Sequence, residues 1–167
     1  MAQFQLGSIS TGTLRTEDLL PVFVDTLLGI DNSNRGQTHG YPFTYQNAWD
    51  SDYDADSYWN SAYPNEDLEI VSNLLNELCP PFVYFGTHPG DGADFGFWPD
   101  SNSLDEALYN QTGAPHLDNV PSYSLPMHQD YPYGEIALED DNVIVQLSDH
   151  GNVTVMDMER NVIWSVV

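Results

Sequence analysis

Aspartates stand at every second position from Asp50 to Asp56, in the run Trp49-Asp50-Ser51-Asp52-Tyr53-Asp54-Ala55-Asp56-Ser57-Tyr58-Trp59. In an extended strand, alternate side chains share one face about 6.6–6.8 Å apart, close to the step between successive phosphates on one nucleic-acid strand. Tyr53, Tyr58 and Trp59 add flat surfaces beside the charges. Proteins that bind nucleic acid present basic grooves with aromatic platforms, so an acidic surface studded with aromatic rings suits such a groove. Asp50, Asp52, Asp54, Asp56, Tyr53, Tyr58 and Trp59 are therefore the candidate partner-binding residues. Two plainer readings stand beside this one. The run can be a solvated acidic loop. It can also be read as a calcium loop, with Asp50, Asp52 and Asp54 at the first three odd-numbered ligand positions. The sixth position, however, is Ala55 instead of Gly and the twelfth is Ser61 instead of a bidentate Glu, which leaves at most a weak, irregular cation site.

A second constellation spans Tyr84-Phe85-Gly86-Thr87-His88-Pro89-Gly90-Asp91-Gly92-Ala93-Asp94-Phe95-Gly96-Phe97-Trp98. His88, Asp91 and Asp94 are close enough in sequence to meet across a tight turn as metal ligands or an acid–base pair. The commoner outcome is a glycine-rich hairpin whose Asp side chains bond their own backbone. Over these fifteen residues the segment resembles the glycine–aspartate hairpin of the SMI1/KNR4-like immunity superfamily; the resemblance implies an immunity role and transfers no site residue. The triplet Asp94-Phe95-Gly96 matches the kinase motif by letter only, in a chain too short for that fold and without lysine. His39, His88, His116, His128 and His150 are scattered, with no metal-motif spacing. Neither a serine nucleophile elbow nor a GxGxxG fingerprint is present, and the expectation is a non-enzyme without cofactor or metal.

Charge narrows the function further. The 167 residues carry 26 acids against three bases, a formal net charge of -23, and all three bases are arginine: Arg15, Arg35 and Arg160. A small domain ordinarily carries a net charge of magnitude about 2–8, so this chain tolerates unusual self-repulsion. Three arginines cannot neutralise a row of phosphates, which excludes electrostatic binding to nucleic acid or to an anionic membrane. The absence of lysine excludes P-loop, Schiff-base and kinase chemistry. Cys79 is the single cysteine, so no intrachain disulfide forms and no thiolate-based zinc site can be assembled. Met1 to Leu14 has no basic region and no apolar stretch of secretory length. Leu19 to Ile30 is interrupted by Pro21 and Asp25 and is too short to span a bilayer. The expected location is the host-cell cytosol.

The elements that must position these groups are legible in part. With hydrophobic residues at 41%, the chain can build a core, and residues 1–167 read as a single acidic α+β domain. Thr16-Glu17-Asp18 opens a helix whose Leu19, Leu20, Phe23, Val24, Leu27 and Leu28 recur at helical spacing up to Gly29. A second helix starts at Pro64 or Asn65, with Glu66, Asp67 and Glu69 in its first turn. Leu68, Val71, Leu74, Leu75 and Leu78 give it an apolar face, and Pro80-Pro81 end it. Phe82 to Phe85 and Gly92 to Trp98 read as strands joined by a turn. Ser103 to Tyr109 reads as a short helix capped by Ser103, with Glu106 at the capping-box spacing. Residues 29–64 show no convincing periodicity, with one strand conceivable over Tyr41 to Asn47, and residues 111–134 read as loop. Four β-rich runs follow, Glu135–Glu139, Val143–Ser148, Val153–Met158 and Val162–Val167, punctuated by turn residues at antiparallel-meander spacing. Val143, Val145 and Leu147 share one face, as do Val162, Trp164 and Val166. The expected fold is α+β, a mostly antiparallel sheet with a C-terminal β-meander and two to three helices packed on one face.

Four function classes remain. The leading expectation is a nucleic-acid mimic from a phage or mobile element, an inhibitor of a basic nucleic-acid-binding protein such as a CRISPR effector complex, a restriction enzyme or a nuclease. In charge and size the chain is similar to anti-restriction, anti-CRISPR and glycosylase-inhibitor proteins. The second is an immunity protein neutralising a basic toxin, with nearly the same interface physics. The third is a halophilic or metal-binding domain whose charge is not for mimicry; its 13% aromatic content exceeds what solubility needs. The fourth is a metal-dependent hydrolase.

Overall fold

The computed structural model describes residues 4–30, 55–112, 134–148 and 152–166. In chain order the elements are β1 (Gly7–Thr11), α1 (Thr16–Ile30), α2 (Ala55–Trp59), α3 (Tyr63–Glu77), β2 (Val83–His88), β3 (Asp91–Pro99), α4 (Ser101–Thr112), β4 (Gly134–Leu138), β5 (Val143–Leu147), β6 (Val153–Asp157) and β7 (Val162–Val166). They form two antiparallel sheets, β1-β3-β2 and β4-β5-β6-β7. The α+β class with a C-terminal meander is thus observed, with the strands divided between two sheets. Contacts group the chain into two compact units. One comprises Gly7–Cys79 and Tyr84–Trp98; the other comprises Met1–Leu6, Pro80–Val83 and Pro99–Val167.

In the first unit α1 packs on α3. The apolar stripe of α1 buries Leu19, Leu20, Phe23, Val24 and Leu27, and α3 contributes Val71 and Leu75. Phe23 sits at the centre of an aromatic cluster, edge-on to Phe85 at 4.9 Å and tilted against Phe95 at 5.4 Å; Phe85 in turn meets Phe97 at 5.1 Å. Such offset and edge-to-face pairs add to the area they bury. The N-terminus of α1 is fastened by Thr13 Oγ1, which donates to Asp18 Oδ2 at 2.7 Å. Strand β1 runs antiparallel to β3, with Ser8 opposite Gly96. A side chain at Gly96 would place its Cβ 2.1 Å from the Gly7 carbonyl oxygen, so glycine there permits the strands to close.

In the second unit the meander keeps one register along β4–β5 and β5–β6, and shifts between Val155 and Met156 in the pairing of β6 with β7. Its core holds Ile136, Leu138, Val143, Val145, Val155 and Trp164. Trp164 is 1% exposed and its Nε1 donates to the Pro81 carbonyl at 2.8 Å, satisfying the one polar atom the ring carries inside. Helix α4 packs on β4.

Several expectations change at the level of single elements. Helix α4 begins two residues before Ser103, and its cap is Asp100: Oδ1 accepts from the Ser103 N–H at 3.1 Å and Oδ2 from the Ser103 hydroxyl at 2.6 Å. Leu78, the C-cap residue of α3, is exposed and does not join the apolar face. Val162 and Val166 share a face with Trp164 but lie at the ends of the edge strand and are exposed. Strand β1 and helix α2 were not expected as such.

Candidate functional site

Of the candidate partner-binding residues, Asp50, Asp52, Tyr53 and Asp54 lie outside the described residues. Asp56, Tyr58 and Trp59 lie on α2, which is helical where an extended run was expected. Ser61 closes this short helix, its hydroxyl donating to the Tyr58 carbonyl at 2.6 Å and accepting the Tyr63 N–H at 3.2 Å. Asp56 is exposed. Tyr58 is not a surface platform: it is 1% exposed, and its hydroxyl donates to Asp67 Oδ2 at 2.7 Å. Asp67, read as a first-turn acid of the second helix, is 2% exposed, and this bond gives its carboxylate a partner inside the core. Trp59 is half-buried and stands edge-on to Tyr58 at 5.1 Å.

The hairpin between β2 and β3 uses its polar groups on itself. His88 Nδ1 accepts the Gly90 N–H at 3.0 Å, and its ring stands edge-on to Trp98 at 4.6 Å. Asp91 Oδ1 accepts the Ala93 N–H at 2.9 Å. Asp94 faces β1, where the Ser8 hydroxyl donates to its Oδ2 at 3.0 Å, while Oδ1 is buried with no hydrogen-bond partner among the described residues. His88, Asp91 and Asp94 therefore do not converge as ligands, and among the described residues no group of three His, Cys, Asp or Glu side chains could hold a metal ion.

A concave site that sequence reasoning did not single out lies in the second unit. A groove of about 300 Å³ opens between α4 and the β4–β5 turn. Its apolar lining comes from Phe82, Ala107 and Leu138, and Glu106, Asp140 and Asp141 supply carboxylates. Glu106 and Asp140 are distant in sequence, and no local pattern signals their meeting. The turn positions Asp140 and Asp141 between β4 and β5, closed by the Asn142 N–H donating to the Glu139 carbonyl at 3.2 Å, with Asn142 at φ 55°.

The described arginines are committed locally. Arg15 pairs with Glu17 across two residues, and this hydrogen bond holds the Glu17 carboxyl below the usual carboxylate range and raises the guanidinium. Arg160 pairs with Glu135, at 2.6 Å between Nη2 and Oε2. Asp157 lies below its ordinary value through the Asn161 side chain and backbone N–H, both bonded to it at 2.8 Å. Burial pushes the Cys79 thiol up to about 11, which suits an inert packing residue, not a nucleophile.

Fold and site together define an acidic α+β chain with a small carboxylate-lined groove. Comparison with protein-family models, curated proteins and solved structures finds no match. Among the described residues no helix is long and apolar enough to cross a membrane.

Proposed function

We propose that this chain is an inhibitor that mimics nucleic acid, occupying the basic cleft of a nucleic-acid-binding protein such as a CRISPR effector complex, restriction enzyme or nuclease. The observation that carries the reading is the charge: -23 over 167 residues, with both described arginines paired to nearby acids. An excess of like charge on this scale costs compact-state stability, and attraction to an oppositely charged cleft offsets that cost. Asp50, Asp52, Tyr53 and Asp54 form the proposed phosphate-like stripe, and Asp56 and Trp59 follow it on helix α2, outside the extended spacing. Tyr58 leaves the set because its ring belongs to the core. The inhibitor itself binds no nucleic acid, acts in the cytosol of a host cell, and needs no cofactor.

The experiment is affinity capture from a bacterial lysate at low ionic strength, followed by a salt gradient and identification of what elutes. Basic nucleic-acid-binding proteins released in mid-gradient support the reading. Partners without a nucleic-acid site, or a sub-micromolar complex of the chain itself with duplex or single-stranded probes in a gel shift, overturn it. The second reading, an immunity protein against a basic toxin, draws on the hairpin from Tyr84 to Trp98, whose self-bonded Asp91 and His88 fit a structural turn. A toxin gene beside this one would favour it.

A further inference from the structure

We infer that the groove between α4 and the β4–β5 turn is the docking site for an arginine side chain of that basic partner. This inference rests on the mimic reading and assigns it a specific contact.

The groove joins two features that a guanidinium needs together. Phe82, Ala107 and Leu138 line it with apolar surface, and Leu138, 2% exposed, is held in the core. Glu106 comes from the helix and Asp140 and Asp141 from the turn, so both elements contribute carboxylates to the lining. A guanidinium is planar, weakly hydrated and stacks on aromatic faces, while its edge carries five donors in a fork that matches carboxylate geometry. A lysine ammonium is a compact, strongly hydrated point charge and gains less from apolar walls. The volume, about 300 Å³, lies at the bottom of the range for small-molecule sites and suits one inserted side chain.

Charge complementarity selects the occupant. Arg160 is the only arginine in this unit's sequence, and it is committed to Glu135. A basic nucleic-acid cleft is rich in arginines that read phosphate, and a carboxylate-lined groove offers such an arginine the same bidentate chemistry. Aromatic and arginine anchors in desolvated pockets dominate interface energetics.

The test uses the full chain labelled with ¹⁵N and titrated with Nα-acetyl-arginine amide, with Nα-acetyl-lysine amide as the comparison. The inference expects saturable shifts centred on the amides of Glu106, Ala107, Leu138, Asp140 and Asp141, with arginine binding tighter than lysine. The variant E106Q/D140N/D141N, its fold verified by circular dichroism and melting, should bind arginine about tenfold more weakly, a loss of about 1.4 kcal/mol shared among three exposed carboxylates. The control E66Q/E69Q/E77Q removes as many exposed acids from α3 and should leave arginine binding unchanged. Shifts spread over all exposed acids without saturation, or equal losses in both variants, overturn the inference. The mimic reading fails separately: if the parent chain captures no nucleic-acid-binding protein while arginine still saturates the groove, the groove stands and the mimicry does not. A captured partner that the groove variant holds as tightly as the parent does overturns the groove assignment alone.

Discussion

At the scale of single residues, the most consequential finding is that Tyr58 and Asp67 face each other inside the core. An aspartate 2% exposed would be costly without hydrogen bonds, and the tyrosine hydroxyl supplies one. Tyr58→Phe keeps the ring and removes only that donor. It should lower stability by about 1–3 kcal/mol, the cost of a buried acceptor losing a partner. Urea denaturation measures this, and an unchanged midpoint with unchanged slope would contradict the assignment. Asp157 gives a pH-dependent counterpart in the β6–β7 turn. Its folded value is depressed by Asn161, so the ionised form is bound more strongly in the folded state. That contribution is present above the unfolded value of about 3.9 and is lost as pH falls through the lower folded value. Asp157→Asn should therefore lower the melting temperature at neutral pH and flatten its decline below pH about 4; parallel melting curves for variant and parent across acid pH would contradict it.

At the scale of elements, the cap of α4 moves from Ser103, which the sequence named, to Asp100. Asp100 accepts the Ser103 N–H in the first turn of α4, so Asp100→Ala should cost about 0.5–2 kcal/mol. Ser103→Ala keeps the Asp100 bond to the backbone and should cost less; the reverse order in thermal melts would restore Ser103 as the cap. The C-terminal strands were legible to within a residue because alternating Val, Ile and Trp positions and turn residues agree on one register. Helices α1 and α3 were legible for the same reason, at period 3.6. Strand β1 was not, since Gly7, Ser8 and Ser10 dilute the β signal of Ile9 and Thr11 and the strand depends on the close approach that Gly96 allows. Helix α2 has five residues, too few for periodicity, and is anchored by the Tyr58–Asp67 bond, which no local pattern announces. The groove escaped for a related reason: Glu106 and Asp140 lie far apart in sequence, and only the packing of α4 on β4 brings them to one concavity.

At the scale of the whole molecule, the account rests on charge acting at two ranges. Long-range attraction steers encounter and is screened over about 8 Å at physiological salt, so association with the partner should slow as ionic strength rises while dissociation changes little. Converting Asp50, Asp52 and Asp54 to Asn should reduce binding more than converting Glu66, Glu69 and Glu77 to Gln. The loss should reach several kcal/mol if the stripe is desolvated in the interface and stay under about 1 kcal/mol if it lies at a rim. Equal losses per charge removed, followed by surface plasmon resonance at several salt concentrations, would mean that bulk charge and not the spacing drives binding. The most direct measurement of the central claim is competition on a captured partner: fluorescent duplex DNA or RNA is bound to the partner's own nucleic-acid site, and the unlabelled chain is titrated in. Mimicry predicts complete displacement of the probe with one chain per site, reversed by excess nucleic acid. A ternary complex in which partner, nucleic acid and chain are held together at saturation would contradict it.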